Sequence, residues 1–441
     1  MSTHERDIWR RRILECLEGP GGEVSARARA ADLARAYAEL DRDARRRFLT
    51  VLAEDFAPGR EAVTAAIASY QNATNATDRV ASEAELRAAL TPPRRRLLTQ
   101  FNGVEGGVKF LVDMRADLLS IASQSPELGG LDEDLKKLLV SWLDFGFLEL
   151  TRLTWRSPAL LLEKLIAYEA VHAIRDWEDL RNRLDSDRRC YGLFHPSMPA
   201  EPLAFVEVAL CVGVSRSVQT LLDETAPAGN PRHADTAVFY SISSPQTGLR
   251  GISFGEYLIK RAVDVLSHDL PRLTQYATLS PIPGFRVWLD TRLARQPEAL
   301  HVEGADAQLA AGGVRQMLDE RSWTAREAPR PAISETLLAL CARYFAERRA
   351  DGQPIDPVAR FHLRNGARLD RINWLGDVSH KGIRQSLGLM VNYRYDQDDI
   401  DANHEAYAKE RELAVSPAVR DLMGRSGVAL DRIRAAPEPG G

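Results

Sequence analysis

The chain has 441 residues, of which 44% are hydrophobic and 27% are charged, and its formal net charge is −4. This length exceeds what one hydrophobic core usually holds, so we expect two domains. The charge balance gives no indication of a nucleic acid or an anionic membrane as a partner. The four cysteines lie far apart, without CxxC spacing or a histidine at metal-ligand spacing, and predict neither a structural disulfide nor a metal site.

The chain start gives an expectation about the compartment. Residues 1–12 lack the apolar segment of a secretory signal, and no run of about 18 apolar residues follows. Glu5 and Asp7 argue against a mitochondrial leader, because such leaders are poor in acidic residues. We therefore expect a cytoplasmic protein.

The first third of the chain has apolar residues at helical spacing, and no convincing strand precedes about residue 189. The predicted helices are 5–17, 25–40, 42–56 with Asp41 as N-cap, 61–75, 82–90, one that starts at Pro92 and Pro93, and 131–148. Residues 1–150 are thus predicted to form an all-helical domain whose apolar stripes join helix to helix. Two further helices, 157–174 and 177–184, make 151–188 a helical hinge.

Strand patterns begin after the hinge. Residues 190–194 and 203–210 read as an antiparallel pair, and 236–243 adds a third strand. With the helices 333–348 and 379–387 and the extended segments 371–375 and 390–395, residues 189–395 are predicted to form an α/β domain with a mixed sheet. Residues 292–330 give no clear pattern, and 396–441 reads as a helical tail that ends in a disordered Pro-Gly run.

A strand, a glycine turn and a helix follow one another between residues 236 and 270. The turn has the spacing Gly248-x-x-Gly251-x-x-x-Gly255, which is neither the Walker pattern nor the dinucleotide fingerprint. Backbone N–H groups at such a turn can bind a diphosphate, and coenzyme A is a candidate ligand. An ordinary turn whose glycines serve packing explains the pattern equally well.

Three stretches carry a resemblance to a known family. FYSISSPQTGLRGISFGEYLIKR, TLSPIPGF and DPVARFHLRNGARLDRINWLGDVSHKGIRQSLGLMVNYRY resemble the malonyl-CoA decarboxylase family, and the likeness covers most of 154–395. The resemblance implies a helical N-terminal domain that mediates association between subunits. It also implies a catalytic domain of the GNAT type, which binds acyl-CoA. A homo-oligomer, dimer or tetramer, is expected on this basis.

The resemblance also assigns site residues. Ser280 in LSPIPG and His362 in FHLRNGA match the paired catalytic residues of the family, where serine is the proton acceptor and histidine the proton donor. Tyr395 matches a tyrosine near the substrate. The acyl-CoA turn maps to Arg250, Gly251, Ile252, Ser253, Phe254, Gly255 and Glu256. At Ser253 the chain departs from members that carry an acidic residue.

The implied reaction converts malonyl-CoA to acetyl-CoA and carbon dioxide, a carboxy-lyase reaction (EC 4.1.1.9). Its enolate is expected to be protonated by His362 while Ser280 positions the carboxylate. It needs no metal or organic cofactor, because the thioester carbonyl itself takes up the electrons of the departing carboxylate. Coenzyme A is part of the substrate. Two alternatives stay open on the residues alone: an N-acyltransferase that moves acetyl from coenzyme A to an amine, and a non-enzymatic helical scaffold. Asn365, Asn373 and His195 are weaker site candidates.

Overall fold

The computed structural model describes residues 3–122, 125–252, 254–295, 300, 302–303 and 331–435. The chain forms two compact units. The first consists of residues 1–149 together with 193–204 and 244–254, and the second consists of 150–192, 205–243 and 255–441. Two short segments from the later part of the chain therefore fold with the N-terminal helices.

The first unit is built on eight α-helices within the described residues, of which the sequence predicted all but the one at Gly107–Ile121. They are α1 (Thr3–Glu18), α2 (Glu23–Ala38), α3 (Arg42–Glu54), α4 (Arg60–Asn72), α5 (Ala76–Leu90), α6 (Arg94–Asn102), α7 (Gly107–Ile121) and α8 (Gly129–Trp142). Asp41 caps α3 as predicted, because its carboxylate accepts a hydrogen bond from the Ala44 N–H at 2.8 Å. The prediction for 131–148 was wrong in length, since α8 ends at Trp142 and a 3₁₀ turn follows.

The core of the first unit lies between α1, α3, α6 and α7. Phe48 and Phe101 are fully buried there, and Trp9 meets Phe48 edge to face with ring centroids 5.3 Å apart. The hairpin of α4 and α5 differs, because Ala66 and Ser82 are its buried residues and most of its other side chains are exposed. No helix in the described part of the chain is long and apolar enough to cross a membrane.

The second unit contains a sheet of ten strands. They are β1 (Glu149–Leu153), β2 (Arg188–Phe194), β3 (Ala204–Cys211), β4 (Thr236–Ser243), β5 (Gln275–Thr278), β6 (Ser280–Pro281), β7 (Arg368–Asn373), β8 (Met390–Arg394), β9 (Leu413–Val415) and β10 (Ile433–Ala435). The expectation of no strand before about residue 189 was wrong, because β1 spans the boundary between the predicted helical domain and the predicted hinge. The tail was expected to be helical, yet it supplies β9 and β10.

The sheet is mixed, which confirms the predicted fold class. Its order is β1-β2-β3-β4-β5-β8-β7-β9-β10, with β6 paired to β8. β3 and β4 run antiparallel, whereas β4 and β5 run parallel. The strand β4, the glycine turn and the helix after it follow one another in the order that the sequence patterns predicted.

Helices flank this sheet. They are α9 (Ala159–Tyr168), α10 (Trp177–Arg183), α11 (Val218–Leu221), α12 (Phe254–Asp269), α13 (Phe285–Arg295), α14 (Pro331–Ala346), α15 (Pro357–Arg364), α16 (His380–Ser386), α17 (Ile400–Glu410) and α18 (Pro417–Arg425). The helix predicted over 157–174 ends early, at Tyr168. Most of the unclear segment 292–330, and the Pro-Gly end predicted to be disordered, lie outside the described residues.

Candidate active site

Ser280 lies where two parallel strands separate. β4 and β5 pair from Thr236 opposite Gln275 to Phe239 opposite Thr278. The chain then leaves β4, and Ser280 in β6 pairs with Val391 of β8. Beyond Phe239, β4 keeps its partner β3 through Ser243. The separation opens one edge of β4 beside the predicted catalytic serine.

His362 lies on a short, well-capped helix. The Asp356 side chain accepts a hydrogen bond from the Ala359 N–H at 2.7 Å, and Pro357 occupies the first helical position, where its missing N–H costs nothing. The imidazole is 2% exposed and stacks on the ring of Tyr393, with centroids 4.4 Å apart. Capping and stacking together fix the direction in which the ring points.

The structure brings the two predicted catalytic residues together. Ser280 Oγ lies 3.2 Å from His362 Nε2, although 82 residues separate them in the chain. On the other side of the ring, the Tyr395 hydroxyl lies 2.8 Å from Nδ1. Ser280 Oγ also donates to Thr278 Oγ1 at 2.9 Å, and that oxygen accepts the Tyr393 N–H at 3.1 Å. A chain of hydrogen bonds thus runs from Tyr395 through His362 and Ser280 to Thr278.

Burial sets the charge state of this chain. It lowers the pKa of His362 from its usual 6.5 to about 3, because the imidazolium would lose its hydration inside the protein. The ring is therefore neutral at neutral pH. Burial also raises the pKa of Tyr393, whose ring stacks on His362, well above its ordinary value. Both stacked rings are therefore uncharged at neutral pH.

The predicted acyl-CoA turn begins in the segment 244–254 of the first unit, while Gly255 and Glu256 belong to the second unit. A Cβ on Gly248 would lie 1.8 Å from the Val112 carbonyl oxygen, so this position requires glycine. Gly251 has φ +83°, a conformation that favours glycine. The Arg250 side chain is exposed. Packing accounts for Gly248, while Gly251 forms the bend of the turn.

The rest of the predicted turn is only partly described. Ile252 is half-buried, and Phe254 is buried at the start of α12, where it meets Phe145 with ring centroids 5.6 Å apart. Gly255 lies against the ring of Phe361, the residue that precedes His362. Ser253 and the side chain of Glu256 are outside the described residues.

Two of the three weaker candidates, Asn373 and His195, have structural partners. Asn373 donates to Asn392 Oδ1 at 2.8 Å, and Asn392 Nδ2 donates to the Thr278 carbonyl at 2.6 Å. His195 Nδ1 accepts the Ser197 N–H at 3.1 Å, which closes the turn between β2 and β3. Asn365 is buried, and its Nδ2 has no hydrogen-bond partner in the described part of the chain.

The sequence analysis missed Thr278 and Asn392. A signal existed for Thr278, because residues two apart on an extended chain point to the same side, and Thr278 precedes Ser280 by two. Asn392 had no such signal. Its role depends on the pairing of β7, β8 and β5, which a single sequence does not reveal.

Comparison with known proteins decides the family. The profile of the malonyl-CoA decarboxylase C-terminal domain matches residues 146–432, and that of the N-terminal domain matches residues 56–143. The chain belongs to the malonyl-CoA decarboxylase family. Its members are carboxy-lyases that act on malonyl-CoA, so the family decides between this reaction and the N-acyltransferase and scaffold alternatives.

Solved structures and curated relatives agree with this assignment. The malonyl-CoA decarboxylase of Rhodopseudomonas palustris is 42% identical, with a TM-score of 0.86 over 94% of this chain and 99% of the other. That of Agrobacterium vitis is 41% identical, with a TM-score of 0.85 over 96% and 100%. The mitochondrial malonyl-CoA decarboxylase of the goose Anser anser anser is 36% identical over 91% of this chain and 84% of its own length.

Proposed function

We propose that the chain decarboxylates malonyl-CoA through an enolate that His362 protonates, while Ser280 positions the carboxylate. The observation that carries this proposal is the 3.2 Å distance between Ser280 Oγ and His362 Nε2 in a buried site where β4 and β5 separate. A hydroxyl and an imidazole at one point can hold a carboxylate and supply a proton.

The bond changes of the reaction are few. The bond between the α-carbon and the carboxylate carbon breaks, carbon dioxide leaves, and the electron pair passes into the thioester as an enolate. The α-carbon then takes one proton, which gives acetyl-CoA. Ser280 turns its hydroxyl from Thr278 to the carboxylate and holds the breaking bond in line with the carbonyl π system.

A neutral imidazole is a sufficient acid for this step. A thioester enolate is a much stronger base than an imidazole that has lost its N–H proton, so transfer from a neutral N–H is downhill. In this proposal the Tyr395 hydroxyl, 2.8 Å from Nδ1, is the donor of that hydrogen bond, and the ring proton is on Nε2, which lies 3.2 Å from Ser280 Oγ. As Nε2 gives up its proton, Tyr395 passes its hydroxyl proton to Nδ1; a proton from solvent water then adds at Nε2, and the Nδ1 proton goes back to Tyr395, which restores the starting state. Tyr395 is thus a positioning and relay residue.

The turn at Arg250 to Glu256 is the proposed seat of the nucleotide part of the substrate. Its support is the bend at Gly251, where glycine adds no side chain of its own, and the exposed Arg250 guanidinium. Arginine is well suited to phosphate oxygens, whereas the N–H groups of Arg250 and Ile252 already donate to carbonyls of the turn.

Two further predictions concern the assembly and the compartment. A homo-oligomer is supported by the α4–α5 hairpin, which exposes Ile67, Tyr70, Val80 and Leu90. Light scattering on the purified protein measures its mass directly. The relatives from goose and mouse are named mitochondrial, so the cytoplasmic location stays a prediction.

The test follows conversion of malonyl-CoA to acetyl-CoA by mass spectrometry, with no added metal or amine. Wild type is expected to convert, and Ser280→Ala and His362→Ala to lose at least about a hundredfold in kcat, because general acid catalysis supplies about 10²- to 10⁴-fold. His380→Ala, at an exposed histidine of α16, is the matched control and should keep the wild-type rate. Full activity in folded His362→Ala would refute the assignment of the proton donor.

A further inference from the structure

Helix α8 of the first unit carries five charged side chains, and four of them have a partner of opposite charge. The pairs are Arg115–Asp132 at 2.7 Å, Arg94–Asp134 at 2.8 Å and Lys137–Glu133 at 3.3 Å. The fifth, Lys136, makes no hydrogen bond or ion pair with the described residues. The residue is half-buried, and its ammonium has no counter-ion among the described residues.

Lys136 lies beside the bend of the predicted acyl-CoA turn. Its Cε and Nζ are each 3.8 Å from the point where a Cβ on Gly251 would lie. Since glycine has no side chain, nothing of Gly251 stands between the ammonium and the backbone of the bend. The exposed guanidinium of Arg250 is adjacent in the chain. Two cations therefore flank a bare backbone turn.

The turn is held rigidly in this position. Arg115 Nη1 donates to the carbonyl of Gly248 at 2.6 Å and to that of Arg250 at 3.0 Å, and its charge is balanced by Asp132. The close packing of Gly248 on Val112 of α7 adds to this. The charge of Arg115 is therefore balanced within the protein, whereas the Lys136 ammonium has no partner among the described residues and can bind an external anion.

We propose that Lys136 binds a phosphate of the coenzyme A part of the substrate at the Gly251 bend. The inference rests on the proposed function, which seats this part of the substrate at the same turn. It assigns to the N-terminal helices a direct part in substrate binding. It also makes Lys136 a specificity residue, because thioesters that lack the nucleotide offer no phosphate for it to hold.

The experiment compares Lys136→Ala with wild type on malonyl-CoA, on its 3′-dephospho analogue and on malonyl-pantetheine, which has no phosphate. A charge-assisted hydrogen bond to phosphate is expected to make KM for malonyl-CoA about tenfold higher in the variant, with kcat within about twofold. KM for malonyl-pantetheine should not change. The 3′-dephospho analogue distinguishes the two phosphate groups of coenzyme A. If Lys136→Ala also raises KM for this analogue, Lys136 binds the diphosphate. If KM for the analogue does not change, Lys136 binds the 3′-phosphate.

Lys137→Ala is the matched control, because Lys137 is the next residue on α8 and already pairs with Glu133. It should behave as wild type, and Lys136→Arg should restore most of the affinity. Unchanged KM for malonyl-CoA in Lys136→Ala, or an equal rise with malonyl-pantetheine, would overturn the proposal. Calorimetric titration with coenzyme A alone measures the effect of Lys136→Ala on binding without turnover. Weaker coenzyme A binding by the variant would therefore support the role of Lys136 even if the protein did not decarboxylate malonyl-CoA.

Discussion

Replacing Tyr395 by phenylalanine tests the contact between its hydroxyl and His362. The change removes the hydroxyl that lies 2.8 Å from His362 Nδ1 and keeps the aromatic ring. Leaving a buried acceptor without its donor costs about 1 to 3 kcal/mol. This corresponds to a loss of roughly 5- to 150-fold in kcat, because the proposed relay needs the bond in the transition state. KM should stay within about twofold, because the hydroxyl orients the imidazole rather than the substrate.

The assay is steady-state release of carbon dioxide from malonyl-CoA, with the thermal midpoint of each variant as a check on folding. Tyr393→Phe is the matched control. Its ring stacks on His362, but its hydroxyl has no hydrogen-bond partner among the described residues, so kcat should stay near the wild-type value. A Tyr395→Phe enzyme that keeps its kcat and loses affinity would refute the relay and favour direct substrate binding by Tyr395.

Two further predictions concern charge. Because burial holds the pKa of His362 at about 3, the ring is neutral throughout pH 6 to 8 and kcat should be flat there; a decline that starts near pH 6.5 would show that the imidazolium is the acid. Arg115→Met leaves Asp132 and two carbonyls of the turn without their donor and should lower the free energy of unfolding by about 2 to 4 kcal/mol. Denaturant titration measures this loss, Arg10→Met at an exposed position is the control, and equal stability of the two variants would contradict the prediction.

Most elements of the fold follow from local patterns. β4 spans the predicted residues 236–243, and α12 begins where its apolar spacing begins. The missed strands are those whose local signal is weak. β1 is a five-residue edge strand in which Leu153 is the one buried residue. β9 and β10 have three residues each, and their pairing with each other and with β7 joins distant parts of the chain.

The part of the site that could be predicted consists of single residues within stretches that resemble a known family. Ser280 and His362 came from a resemblance, and the structure brings them to 3.2 Å. The helical setting of His362 had a signal in Asp356 and Pro357, a cap followed by the residue favoured at the first helical position. The isolated charge of Lys136 had none, because it emerges only after the partners of its neighbours on α8 are known.

The division into compact units bears on whether the catalytic part can stand alone. The family profiles meet near residue 145, yet the segments 193–204 and 244–254 fold with the N-terminal helices. A fragment that starts at residue 150 would keep Ser280, His362 and Tyr395 but would lose Arg115, which holds the carbonyls of the turn. The N-terminal helices therefore cannot be removed without loss to the rest of the chain, because they supply the side chain that bonds the carbonyls of Gly248 and Arg250.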